Sequence, residues 1–169
     1  PNGKITNTQL TNNNATFGGA KNWESSDNGT ITSNIFTNNN AQNNTIYIDN
    51  VYSGENLTVN NNIFLNNNAT EIGFYKTDTT SNTDYNWFGH NETNYKNNPN
   101  IENCKIWLFL NATAKPNTIT ILVTSNITYK LWMYNSTNEN TSEYDNTLRK
   151  PVNLTVTSTS GLTTSTQLG

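Results

Sequence analysis

Only 12% of the 169 residues are charged, and neither sign dominates: nine Lys and Arg stand against twelve Asp and Glu. The basic footprint of a nucleic-acid binder is missing, and no nucleic-acid partner is expected. No run of eighteen apolar residues occurs, which excludes a transmembrane helix in this segment. Cys104 stands alone, so there is no disulfide framework, no metal knuckle and no redox pair. Apolar residues are scarce too, at 32%. In their place are 37 Asn and 29 Thr, both poor helix formers, which disfavours a helical bundle. Yet aromatics reach 11% and the net charge is only −3, which argues against disorder. The chain is expected to fold as an all-β protein that buries little per residue.

Eleven Asn-x-Ser/Thr sequons occur, but this composition generates about nine by chance, so they prove nothing about glycosylation. A surface of uncharged amides and hydroxyls suits an exported protein at the cell surface. The chain opens on Pro1-Asn2-Gly3 without an initiator Met or a signal peptide, and it is expected to be a piece of a longer one.

An internal repeat organises the first half. Ile5–Ala15, Ile31–Ala41 and Val59–Ala69 align without gaps at offsets of 26 and 28 residues. Apolar positions recur in register as Ile5/Ile31/Val59, Leu10/Phe36/Phe64 and Ala15/Ala41/Ala69. The triplets beginning at Asn12, Asn38 and Asn66 coincide as well. This predicts a solenoid in which each repeat is one coil of short strands, stacked on the next about 4.8 Å away. Stacked Asn side chains can then form amide ladders, for which Asn12, Asn38 and Asn66 are the expected members. The aromatic run Tyr85, Trp87 and Phe88 is expected to cap the last coil with flat rings.

After Pro99 the pattern alternates every two residues, with Ile106, Leu108, Leu110 and Ala112 on one face and Trp107 and Phe109 on the other. Further strands are expected over Thr118–Val123, Ile127–Tyr134, Val152–Thr157 and Leu162–Leu168, with a polar loop over Asn135–Lys150. In the second of these strands, Thr128, Lys130, Trp132 and Tyr134 are expected to face outward. Short alternating strands separated by turns indicate an antiparallel sandwich, which is expected to be truncated because only four or five strands fit. Its open edge is expected to favour a homodimer. Two domains follow: residues 1–100, the final coils and cap, and residues 101–169, the sandwich.

Asn-rich coils ending in Ala, Gly18-Gly19-Ala20, the closing Tyr85-Asn86-Trp87-Phe88-Gly89 with Asn98-Pro99, and Trp107-Leu108 leading to Ala114-Lys115-Pro116 carry a resemblance. Together they resemble the adhesin-like surface proteins of methanogenic archaea. The resemblance implies a right-handed parallel β-helix of the pectate-lyase-like kind followed by a bacterial immunoglobulin-like domain. It implies an exported adhesion role and supplies no catalytic residues, cofactor or metal.

The expected function is therefore a non-enzymatic adhesin segment that contacts glycans or partner-cell surface proteins, with Tyr47, Tyr52 and Tyr75 as candidate glycan contacts. A purely structural stalk is the alternative. A β-helical lyase or hydrolase would need clustered carboxylates and a base. Asp49, Glu55, Glu71, Asp78, Asp84 and Glu92 are scattered over non-equivalent coil positions, and His90 is read as a loop residue. Asp27, Asp49 and Asp84 lie in no loop with calcium-ligand spacing.

Overall fold

The computed structural model describes residues 3–24, 28–49, 56–75, 80–89, 104–118, 125–145, 152–157 and 163–168. Every regular element among them is a β-strand. The repeats supply β1 (Gly3–Thr6), β2 (Gln9–Thr11), β3 (Asn14–Ala15) and β4 (Lys21–Glu24), then β5 (Gly29–Thr32), β6 (Ile35–Thr37) and β7 (Asn40–Asp49). They continue with β8 (Asn56–Asn60), β9 (Ile63–Leu65) and β10 (Asn68–Tyr75), and finally β11 (Thr80–Asn82) and β12 (Asn86–Trp87).

The chain visits three sheets in rotation. The first holds β1-β5-β8-β11, the second β2-β6-β9-β12, and the third β10-β7 with β3 and β4 both on β7; all these pairs are parallel. The registers Leu10↔Phe36 and Phe36↔Phe64 carry the offsets expected from the repeat. A fourth layer, Thr80↔Asn56 and Trp87↔Ile63, adds a further winding at an offset of 24 that the alignment of three repeats did not include.

Corners between sheets share a two-residue device. At the first corner Asn7, Ser33, Asn61 and Tyr85 all have positive φ, between 54° and 61°. At the second, Asn12, Asn38 and Asn66 have φ of 57°, 53° and 54°. Asn tolerates this left-handed conformation better than most residues because its short amide can bond locally. The abundance of Asn is thus partly a matter of backbone geometry.

Inside the windings, like stacks on like. Phe36 and Phe64 lie parallel with ring centroids 4.8 Å apart, and Phe88 continues the column 5.2 Å from Phe64. Ile31, Ile46, Ile48, Leu57, Val59 and Ile72 complete a fully buried core. Trp23 fills the opening layers where the first sheet carries only Gly3 and Gly29. A Cβ on either glycine would fall 2.5 Å from the indole.

The second sheet does not stop at β12. β13 (Ile106–Lys115) pairs with it in parallel, and β14 (Asn126–Asn135) and β15 (Asn140–Glu143) follow antiparallel, giving a seven-stranded sheet. The domain boundary expected at residue 100 lies outside the described residues, and the hydrogen bonds run through from β12 to β13. β15 lies within what was expected to be a polar loop. The expected strand Thr118–Val123 lies almost wholly outside the described residues. β16 (Val152–Thr157) and β17 (Thr163–Leu168) form an antiparallel hairpin.

The outward orientation expected of Trp132 and Tyr134 is corrected. Trp107, Phe109 and Tyr134 are buried in the same cluster as the coil interior, with Trp132 packed against it. Trp107 and Tyr134 rings lie 4.9 Å apart. Alternation separates two faces but cannot say that both are covered. Thr128 and Lys130 of that face are exposed, Lys130 paired with Glu143 at 2.5 Å and both of these about half exposed.

Candidate functional site: a lateral face of amides and rings

The ladder of the Asn triplets falls one residue after the expected positions. Asn12, Asn38 and Asn66 occupy the exposed left-handed corner. The next residues turn inward: Asn13 N–H and Nδ2 donate to Asn39 Oδ1 at 3.1 and 2.9 Å, and Asn39 repeats this to Asn67 at 2.9 and 3.0 Å. The other corner carries a second buried ladder. Thr8 N–H donates to Asn34 Oδ1, Asn34 to Asn62 and Asn62 to Asn86. Asn34, Asn62 and Asn86 also donate from Nδ2 to the carbonyls of Ile5, Ile31 and Val59 in the preceding layer, as Asn39 and Asn67 do to Leu10 and Phe36. Both lone pairs and both amide hydrogens are thus used, so a polar side chain can be fully buried without an energetic penalty. The register Thr8/Asn34/Asn62 was visible in the aligned repeats; three consecutive Asn letters obscured which one turns inward.

A third amide row faces solvent. Asn68 Nδ2 donates to Asn40 Oδ1 at 3.0 Å, and Asn40 Nδ2 donates more weakly to Asn14 Oδ1 at 3.4 Å. It opens the third sheet, where Asn14↔Asn40 and Ala15↔Ala41 are paired. Ala41 is buried and Ala15 exposed, while Ala69 lies at a register shift between Asn68 and Thr70. Further along the same sheet Phe17, 47% exposed, meets the half-buried Tyr47 with centroids 5.1 Å apart and planes tilted by 56°. Tyr47 sits between Asn22 and Gly73 in register, and Tyr75 pairs with Asp49 two positions on. The backbone therefore brings Tyr47 and Tyr75 to adjacent rows of one sheet, whereas Tyr52 lies outside the described residues.

The three expected cap residues separate. Tyr85 takes the left-handed corner and stacks with Tyr144 at 6.1 Å; Phe88 extends the inner ring column; Trp87 packs on the opposite face of the second sheet with Ile35, Ile63 and Leu108. A two-residue alternation explains the split, since neighbours in a strand point to opposite sides. The coil end is instead filled by Trp107, Phe109 and Tyr134.

Among the described residues no group of three or more His, Cys, Asp or Glu is placed to hold a metal. Asp84 serves the backbone: its Oδ1 accepts from Lys105 N–H at 2.7 Å and Ile106 N–H at 3.0 Å, fixing the start of β13. Beside it, burial and then the Asp84 charge push the Cys104 thiol up to about 12. Of the other candidate acids, Asp49 ends β7 and Glu71 lies in β10, on neighbouring strands but not in register with each other; Glu55, Asp78 and Glu92, with His90 and Asp27, lie outside the described residues.

The chain matches no family model, no curated protein and no solved structure. What the lateral face offers is therefore argued from its chemistry: amides one strand spacing apart at one end of the third sheet, and aromatic rings further along it.

Proposed function

We propose that this chain is a non-enzymatic segment of a cell-surface adhesin, whose lateral face contacts glycans or surface proteins of partner cells. In this reading the rotating parallel sheets are a right-handed parallel β-helix, and β13–β17 begin an immunoglobulin-like module, as in the archaeal adhesin-like proteins the sequence resembles. One observation carries the reading: the third sheet bears both the solvent-facing Asn14–Asn40–Asn68 row at the start of β7 and, seven residues further along that strand, the Phe17–Tyr47 ring pair. Amides donate to and accept from sugar hydroxyls, and an aromatic ring stacks on the apolar face of a pyranose. The face is uncharged at these positions, which suits neutral polymers.

The test is binding to a panel of glycans and cell-wall polymers, with Tyr47→Ala and Asn40→Ala compared with the unaltered protein. Loss of one ring contact, worth about 1.4 kcal/mol, weakens saturable binding about tenfold. The same chain failing to bind any polymer while remaining folded sinks this reading in favour of a structural stalk. The uninterrupted hydrogen bonding from β12 into β13 is the observation that favours the stalk. Turnover of a polysaccharide overturns both.

A further inference from the structure

The β13–β14 pair outruns the strands on either side of it. β12 pairs only with Trp107 and Leu108, and β15 only with Trp132–Asn135, whereas β13 and β14 keep ten consecutive pairs out to Lys115↔Asn126. From Asn126 to Lys130, β14 therefore has no strand on its outer side among the described residues. β15 ends at Glu143, and Tyr144 turns off to stack on Tyr85 and bond Asn61. Tyr144 N–H donates to Leu131 O at 3.0 Å, so the backbone polar groups of Leu131 face that outer side. Alternation turns those of Tyr129 and Ile127 to the same edge. Ile127 is 51% exposed; it and Phe17 are the two exposed large apolar side chains among the described residues. Folds blunt such an edge with a proline, a bulge or a free charge. Asn126–Leu131 contains no proline, its pairing with β13 has no register shift, and its one charge, Lys130, is held by Glu143.

We infer that a second copy of the chain adds to this edge, strand to strand, about a two-fold axis through Thr128. The register follows from the groups left over. Antiparallel pairing sets residues whose N–H and C=O face the edge opposite one another, and Ile127 and Tyr129 are the two in this stretch. An axis on Thr128 places Ile127 against Tyr129 of the second copy and repeats that pair by symmetry, an aliphatic side chain beside an aromatic one. Lys130 then faces Asn126 of the second copy, with no like charge opposite it. An axis on Tyr129 would instead set Ile127 against Leu131, whose carbonyl Tyr144 already holds, and one on Lys130 would oppose two lysines. β13 is also unpaired past Leu108 on its other side among the described residues, but Leu110, Ala112 and Ala114, which face that side, include no exposed large apolar side chain. The second sheet of one copy thus continues into that of the other. This does not depend on what the lateral face binds.

Analytical ultracentrifugation of the full chain over a range of concentrations tests this, in three forms: unaltered, Thr128→Lys and Thr128→Asp. Thr128 is exposed, so neither change disturbs the single chain, but in the dimer each sets two like charges directly opposite one another. The unaltered chain is expected to pass from monomer to dimer as its concentration rises. Each variant alone should self-associate at least about tenfold more weakly, and an equal mixture of the two should restore a mixed dimer. An unaltered chain that stays monomeric up to about 1 mM overturns the inference. So do variants that dimerise as the parent does, which places the contact on another surface, and a mixture that associates no better than its components.

Discussion

Replacing Asn62 with Ala removes the middle rung of the inner ladder. Asn62 is fully buried, and its side chain takes part in four hydrogen bonds: two accepted from Asn34 N–H and Nδ2, and two donated from its own Nδ2 to Ile31 O and Asn86 Oδ1. Asn34 Nδ2 keeps its bond to Ile5 O and Asn86 Oδ1 keeps Asn62 N–H. The Asn34 N–H is left without the acceptor it had. A buried orphan donor costs about 1–3 kcal/mol, and each of the other lost bonds about 0.5–1.5 kcal/mol. The expected loss is about 3–5 kcal/mol, a fall in Tm of roughly 6–20 °C for a chain of this size. Urea unfolding followed by tryptophan fluorescence measures it, with Asn66→Gly as control. Asn66 is exposed and left-handed, so glycine there should change stability by less than about 1 kcal/mol. Should Asn62→Ala fall within about 0.5 kcal/mol of the parent, or Asn66→Gly cost more than Asn62→Ala, the inner ladder is not what holds the corners together.

Phe64→Ala cuts the ring column at its centre and should cost about 3–5 kcal/mol in the same assay; a loss under 1 kcal/mol would mean that the column contributes little. Gly29→Ala sets a methyl 2.5 Å from Trp23 and 2.6 Å from Leu57, so it should cost about 1–3 kcal/mol. Much of that should be recovered when Trp23→Leu is added, and simple additivity of the two changes would show that they do not meet. Cys104, raised from 9.0 to about 12, should resist thiol reagents at pH 8–9 in the folded protein and react once it unfolds. Its contribution to stability is fully present below pH 9 and is lost as pH rises toward 12, because the unfolded thiol ionises first. Rapid labelling of the native protein contradicts this.

The stacking of the windings was legible because Ile, Phe and Ala recur at fixed offsets, and a column of identical residues demands that spacing. The third Asn of each triplet lines the solvent face, the second turns into the ladder (buried at Asn39) and the first turns the corner, a division of labour that identical letters conceal. Only the aligned Thr8, Asn34 and Asn62, where the letters differ in the rows around them, carried a readable signal. The packing of Trp23 over Gly3 and Gly29 joins residues on different sheets, so no local pattern announces it. Likewise, the alternation in β13 and β14 located the strands and their two faces, but the burial of Trp132 and Tyr134 depends on the coil interior ending beside them. Of the candidate contacts, Tyr47 was found on an outward row; the Phe17 beside it was missed because it lies in no repeat position.

The inner ladder has an arrow. Each amide oxygen accepts from the winding before it, and the row finishes at Asn86, whose Nδ2 donates to Thr83 O at 2.7 Å within its own turn. Termination is therefore local, and the number of rungs between Thr8 and Asn86 is not fixed by either end. Excising residues 35–62 would join Asn34 to Ile63 and hand the Asn34 donors directly to Asn86, while Leu10 would meet Phe64. Length is thus a quantity that duplication or loss of one module can adjust without redesigning the rest.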